Sequence, residues 1–218
     1  MTPARFLRGP VLLLMPLVLG ACLGSAPPLP RDQYYRILLP PPPVTAPSAA
    51  YPGVVTVARL EADGLLRERP LLFSADGGAL GVQQHDYYYW TDPPTRLIQG
   101  QIVALLQKSG LARTVVTPEM PIRPDYEVRG RINRLERLLG DGPPRVVAEL
   151  KLAVVDLEAG ELMLDKTYAA ELPSADDSVD AAIAALNRAL ADILARFLAD
   201  AFEAGPERGL ALSDRTRS

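Results

Sequence analysis

The strongest pattern in the chain is an apolar stripe near its C-terminus. Val179, Ile183, Leu186, Leu190, Ile193, Phe197 and Ala201 follow one another at steps of three and four, and Leu194, Leu198 and Phe202 widen the band. That spacing predicts an amphipathic helix with one buried face. Ser174 with Asp177 three residues on resembles a capping box at its start, and Gly205-Pro206 ends it. A second helical pattern runs through Leu97, Ile98, Ile102, Leu105 and Leu106. Thr91 or Asp92 can cap it, and Pro93 and Pro94 fit a first turn that needs no N–H. Lys108 lies in its last turn, and Gly110 sits where a helix-ending glycine belongs.

Elsewhere the pattern is that of strands. Residues 34–39 and the β-branched run 54–60 are strand candidates, separated by the prolines at 40–43 and a loop over 45–52. Residues 65–69 suit one helical turn, 70–73 a short strand, Gly77-Gly78 a turn, and 82–90 and 114–116 two further strands. Tyr126, Val128 and Ile132 share one strand face, opposite Glu127, Arg129, Arg131 and Asn133. Leu135 and Leu138 are out of phase with Ile132, which predicts a bulge near Asn133. Two more alternating runs, Val146 to Val154 and Leu162 to Leu172, complete an antiparallel meander with turns at 140–144 and 158–160. Strands, helix, strand, meander, helix predicts an α+β fold: a mostly antiparallel sheet covered on one face by two helices. The expected domain is 34–205, followed by a disordered tail at 206–218; no repeat and no internal linker divides it.

The N-terminus has a different character. Arg5 and Arg8 precede a short apolar run, Val11 to Leu19, and the small residues Gly20 and Ala21 lead to Cys22. This is a secretory signal with a cleavage site at residues 1–21. A cysteine directly after it resembles a lipobox, which implies lipidation of Cys22 with a diacylglycerol and an N-acyl chain such as palmitate. Pro10 and Pro16 interrupt the run, and it falls short of the ~20 residues that span a bilayer. Residues 22–33, with Pro27, Pro28 and Pro30, read as an extended lipid-anchored tether. Cys22 is the only cysteine, so the domain has no disulfide to stabilise it.

Charge and chemistry narrow the function. Removing Arg5 and Arg8 from 23 basic residues leaves 21 against 26 acidic, a net charge of −5. A mildly acidic body carries no footprint for nucleic acid. The one histidine, His85, has neither a Gly-x-Ser-x-Gly elbow nor a free cysteine to serve. The sequence holds no His/Cys cluster for a metal, no calcium loop around Asp76 and no phosphate loop. Asp176 and Asp177 are explained by the helix N-terminus they precede. The expectation is a protein that is not an enzyme and carries no cofactor beyond the lipid.

Two surfaces are candidates for partner contact. In Tyr87-Tyr88-Tyr89-Trp90, alternation sets Tyr88 and Trp90 on one face and Tyr87 and Tyr89 on the other. One pair belongs to the core, and the other is either a partner surface or packs under a loop. Arg129, Arg131, Arg134 and Arg137 form a basic stripe, either a solvated sheet face or a contact for an acidic partner or anionic headgroups.

With these segments in place, the chain resembles the auxiliary lipoproteins of ABC-type lipid transport systems, the family that includes the paraquat-inducible lipoprotein C type. The likeness runs over 34–203 and rests on Tyr35-Arg36-Ile37, the strand 54–60, Leu65-Leu66, Arg69 to Phe73, Tyr88 to Pro94 and the terminal helix. Thr91-Asp92 stands where the family often has a small residue and Glu. The resemblance implies a non-enzymatic subunit that acts through protein contacts beside an ABC permease, an ATPase and an MCE-domain lipid-binding protein. It also implies anchoring in the outer membrane facing the periplasm, which Leu23 favours over inner-membrane retention. Homo-oligomer formation through sheet edges is compatible with it. An outer-membrane assembly lipoprotein, serving a barrel or lipopolysaccharide machine, is the alternative; an anchored hydrolase is remote.

Overall fold

A computed structural model describes residues 30–41, 49–78, 80–140 and 142–206. The signal segment, Cys22, most of the 22–33 tether and the tail from 207 lie outside these residues. The chain from Asp32 onward forms one compact unit. Its elements are β1 (Gln33–Tyr35), β2 (Tyr51–Val57), β3 (Glu61–Ala62), β4 (Pro70–Ser74), β5 (Gln83–Trp90), α1 (Pro94–Ser109), β6 (Ala112–Val116), β7 (Tyr126–Leu138), β8 (Arg145–Asp156), β9 (Glu161–Pro173) and α2 (Val179–Ala204). A 3₁₀ turn at Gly64–Arg67 joins β3 to β4, where the sequence predicts a single helical turn.

The sheet is organised on β7. One edge pairs antiparallel with β8 along its whole length, from Tyr126↔Asp156 to Leu138↔Arg145, and β8 pairs antiparallel with β9. The other edge is tiled in sequence order by β2, β3 and β4, all parallel to β7, through Val55↔Tyr126, Glu61↔Arg131 and Leu72↔Glu136. From this edge the sheet branches. β4 continues to β5 and β1, and β2 continues to β6. The sheet is therefore mixed, which corrects the expectation of a mostly antiparallel one. The reason is topological. Residues 51–74 run beside β7 in its own direction, and the chain between 75 and 125 supplies the long crossover that parallel strands require.

Both helices feed one core. Ile98, Ile102 and Leu106 of α1 join Val55 and Val57 of β2, and Leu186, Leu190, Ile193 and Phe197 of α2 join Ala148, Leu150 and Leu152 of β8. The apolar stripe of α2 is buried as its spacing predicts, from Ile183 to Ala201. Trp90 and Tyr51 fill the largest core positions. Tyr51 falls in the segment expected to be a loop. Its hydroxyl donates to the Ala201 carbonyl at 3.0 Å and its ring meets Tyr126 edge-on, so β2 begins three residues before Val54, with a register shift over Pro52 and Gly53.

The expected bulge lies between Ile132 and Arg134, where Asn133 is the unpaired residue. It turns Leu135 back toward the helices opposite the buried Ala148. Gly110 ends α1 at φ 69°, a left-handed conformation that favours glycine.

The two helix starts differ from the sequence reading. Thr91 donates its amide to Tyr35 and so still belongs to the strand ladder, and α1 starts from Pro93 with no side-chain cap. Ser174 likewise extends the β8–β9 ladder through its amide to Pro144. The cap of α2 is Ser178, whose hydroxyl accepts from the Ala181 amide at 3.1 Å, and Asp176 accepts from the Ser178 amide at 2.8 Å.

Candidate partner surfaces

The parallel pairing of β1 with β5 builds the first surface. It sets Tyr34 opposite Tyr89, and their rings stack at 5.7 Å. The Arg69 guanidinium lies 5.2 Å from the centre of the Tyr34 ring while its Nε donates to the Trp90 carbonyl at 3.1 Å. Cation–π contact and the strand ladder together hold this patch in shape. Tyr87 and Tyr89 are half-buried and Tyr34 is exposed. On the opposite face Trp90 is buried and Tyr88 packs against the core, so Tyr88 and Trp90 are the core pair. The sequence reading missed Tyr34 as a member of the patch. Its only local sign is the tyrosine pair Tyr34-Tyr35 just after the tether, because nothing near in sequence announces a parallel neighbour fifty residues on.

The second surface is the outer face of β7. Arg129 pairs with Glu127, Arg131 with Asp63 and with Glu61 (3.2 Å), and Arg134 with Glu136 (2.7 Å). Each arginine of this stripe faces its own carboxylate, so the face is a mosaic of both signs. Tyr87 and Tyr89 sit on the branch beyond β4, whereas Arg129 and Arg131 sit along β2 and β3. The four predicted contact residues thus belong to two separate places.

Arg137 leaves the stripe. The bulge at Asn133 rephases β7, and Arg137 turns inward, opposite the buried Val146. Only 5% of it is exposed, and among the described residues it meets no carboxylate within ion-pair distance. Its Nη2 donates to the Asp177 carbonyl at 2.7 Å and its Nη1 to His85 Nε2 at 3.2 Å. Since an arginine only donates, His85 accepts through Nε2 and carries its proton on Nδ1. The imidazole lies between Phe73 (4.6 Å) and Tyr88 (5.3 Å). Burial first, and then the Arg137 charge, hold its pKa below the ordinary histidine range. Beside it the Tyr35 hydroxyl donates to Asp180 at 2.8 Å, and burial with that contact pushes the phenol far up. This junction ties β5, β7, β1 and the start of α2 together.

A third feature is β9, a 13-residue strand that pairs only with β8 among the described residues. Tyr168 and Lys166 secure it to α2, each donating to Asp200 at 2.7 Å. Those two contacts hold the Asp200 carboxyl below its usual range. Leu162 is exposed at the start of β9.

Among the described residues no group of His, Cys, Asp or Glu could hold a metal ion, and no helix is long and apolar enough to cross a membrane.

Among curated proteins none matches this sequence. The solved structure of protein XCC0632 from Xanthomonas campestris is similar in fold, with a TM-score of 0.71 at 18% identity, covering 82% of this chain and 99% of that one. A second solved structure, of an uncharacterized protein, gives a TM-score of 0.58 at 16% identity and covers 78% of this chain and 99% of the other. At such identities the likeness speaks for the fold alone. The family model of the ABC-type transport auxiliary lipoprotein component matches residues 35–197, from the end of β1 through most of α2. That stretch holds strands β2 to β9, Tyr87 and Tyr89 and the arginine surface, and the chain belongs to this family.

Proposed function

We propose that this protein is a non-enzymatic lipoprotein subunit of an ABC/MCE-type lipid transport system of the Gram-negative envelope. The observation that carries the reading is the family match over 35–197, which takes in the folded domain rather than a fragment of it. In this reading Cys22 bears the diacylglycerol and N-acyl chains, the tether holds the domain off the periplasmic side of the outer membrane, and the permease, the ATPase and an MCE-domain protein are its partners. The domain works by contact. Tyr34, Tyr87 and Tyr89 present aromatic area on a braced strand pair, the composition favoured at protein interfaces. Arg129 and Arg131 offer a second, mixed-charge face that sets register more than affinity. The edge of β9 that pairs with no strand among the described residues leaves room for a second copy of the chain. No catalytic role or cofactor is assigned, because the lone imidazole already accepts from Arg137.

Crosslinking of native envelopes followed by mass spectrometry tests this. The expected result is crosslinks to an MCE-domain protein that weaken when Tyr89 is changed to Ala, together with a triacylated Cys22 peptide. Crosslinks to an outer-membrane barrel instead would select the assembly-factor alternative. An unmodified Cys22 would remove the anchor and with it the proposal. Native mass spectrometry of the full chain reads the oligomer directly.

A further inference from the structure

At the N-terminal end of α1 the surface opens into a recess of about 640 Å³ whose charged lining is Arg59, Arg67, Arg96 and Arg131 with the single carboxylate of Glu61. Four guanidinium groups around one recess are unusual in a chain with a net charge of −3. Two of them are braced. Arg131 is held from behind by Glu61 and Asp63, and Arg67 donates its Nε to the Ala62 carbonyl at 2.6 Å, which leaves its two terminal nitrogens for the recess. The other two are loosely occupied. Arg96 reaches Asp92 only at 3.8 Å, beyond hydrogen-bond range. Arg59 makes no hydrogen bond or ion pair among the described residues; its charge and that of Arg96 act on Glu119, whose carboxyl is held low first by the Thr117 hydroxyl and its own backbone.

Thr95 adds a neutral hydroxyl donor to the lining of the recess. Thr95 is 8% exposed and lines the recess, and its hydroxyl is not one of the buried side-chain atoms that lack a partner among the described residues. Pro93 and Pro94 carry no N–H, so Thr95 also supplies the first amide at the positive end of the helix dipole.

We propose that this recess binds a phosphate group. Arg59 and Arg96 close on it from the rim, Arg67 and Arg131 meet it from the β3 side, and the Thr95 hydroxyl donates from below. A carboxylate has two oxygens and is satisfied by one arginine fork; several forks and a hydroxyl suit an anion with three or four oxygens. The phosphate can come from a phospholipid headgroup or from the free ion, and the site argument does not rest on the transport reading above.

The test is thermal unfolding of the full chain in non-ionic detergent at fixed ionic strength. The probes are inorganic phosphate, dihexanoyl-phosphatidylglycerol below its micelle concentration, and chloride as control. The expected result is a saturable rise in Tm with a phosphate probe and none with chloride. A rise with the lipid alone assigns the headgroup, a rise with inorganic phosphate alone the free ion, and a rise with both leaves the site open to either; each supports it. In the double variant Arg59→Gln/Arg96→Gln the half-point should weaken about tenfold or more, the equivalent of one well-made charged contact. Thr95→Val, which keeps the shape of the side chain, should weaken it less. The proposal is overturned if neither probe shifts the wild-type protein, if chloride shifts it equally, or if the double variant responds like the wild type. Loss of crosslinks to an acidic partner protein in that variant, with no phosphate response in the wild type, would make the recess a protein contact instead.

Discussion

The two edges of β7 are built on different principles. Along one, a single antiparallel partner, β8, stays paired for the full length of the strand, and β9 and α2 lie beyond it. Along the other, three short strands meet β7 at two or three residues each before the sheet divides into the β4–β5–β1 and β2–β6 branches. The meander side is continuous, local in sequence and apolar. The branched side depends on long-range parallel contacts, a polar junction at Arg137 and a stacked tyrosine pair. Local opening starts where buried apolar contact is least, so the branched side should yield first, and it also holds Tyr34, Tyr87 and Tyr89.

The largest effect should come from the meander side. Phe197 is wholly buried against Tyr168, with ring centres 6.1 Å apart. Phe197→Ala should cost about 3–5 kcal/mol, read as a fall in the denaturation midpoint of the full chain. Phe73 on β4 is only partly buried, and the same truncation there should cost less than half as much. Equal losses would erase the proposed contrast between the edges.

Gly130 lies where the two sides touch. A Cβ there would come 2.7 Å from Leu152 Cδ2 and 3.2 Å from Leu60 Cγ and the Lys151 carbonyl. The glycine lets Leu60, just beyond β2, close onto β8 across β7. Gly130→Val should cost about 1–3 kcal/mol through overpacking and should speed hydrogen exchange in β3 more than in β9. The reverse order of exchange would mean that the clash is relieved on the meander side.

This division also explains what could be read without the structure. Each β-turn of the meander joins strands adjacent in sequence, and the phase slip at Asn133 shows in the spacing of Ile132 and Leu135; both were legible. The parallel pairing of β2, β3 and β4 with β7 was not, because a contact between Leu72 and Glu136 leaves no trace in either segment. Both helix starts were placed too early for a related reason. Thr91 and Ser174 have the chemistry of caps, but their amides continue strand ladders, and ladder continuity decided the outcome. Arg137 followed the bulge inward although the bulge itself was anticipated. Among contact residues, the face of Tyr87 and Tyr89 was legible from alternation, while Tyr34 and the recess at Arg59, Arg96 and Thr95 needed three-dimensional assembly.

The Arg137 junction gives the branched side a pH signature. The His85 pKa is lowered from 6.5 in the folded chain, by burial first and then by Arg137. A lowered histidine pKa means the unfolded chain takes up the proton first, so this contribution is intact above about 6.5 and is lost as pH falls toward the folded value. The lowered carboxyls of Asp176 and Asp200 act in a separate window, below about 3.8. Wild-type stability should therefore decline on acidification from pH 6.5, and His85→Gln, which keeps a neutral acceptor for Arg137, should flatten that decline. An unchanged slope in the variant would place the acid-sensitive group elsewhere.

A smaller change separates the two serines near α2. Ser178→Ala removes the bond to the Ala181 amide and should cost about 1 kcal/mol. Ser174→Ala removes a buried hydroxyl that has no partner among the described residues and should leave the midpoint nearly unchanged. Equal losses would restore Ser174 as the cap.

The smallest effect is expected on the outer face of β7. The Arg129 side chain is 61% exposed beside Glu127, and the Arg131 side chain is 40% exposed beside acids that are themselves mostly in solvent. Solvent and salt screen such pairs, and each contributes less than about 1 kcal/mol. Arg129→Gln and Arg131→Gln should therefore shift the midpoint hardly at all, and less still at high salt. That near-silence makes them useful. A variant that folds as well as the parent but loses crosslinks to its partner has lost a contact, whereas a midpoint drop comparable to that of Gly130→Val would mean the mosaic of charges holds β3 to β7 rather than facing another protein.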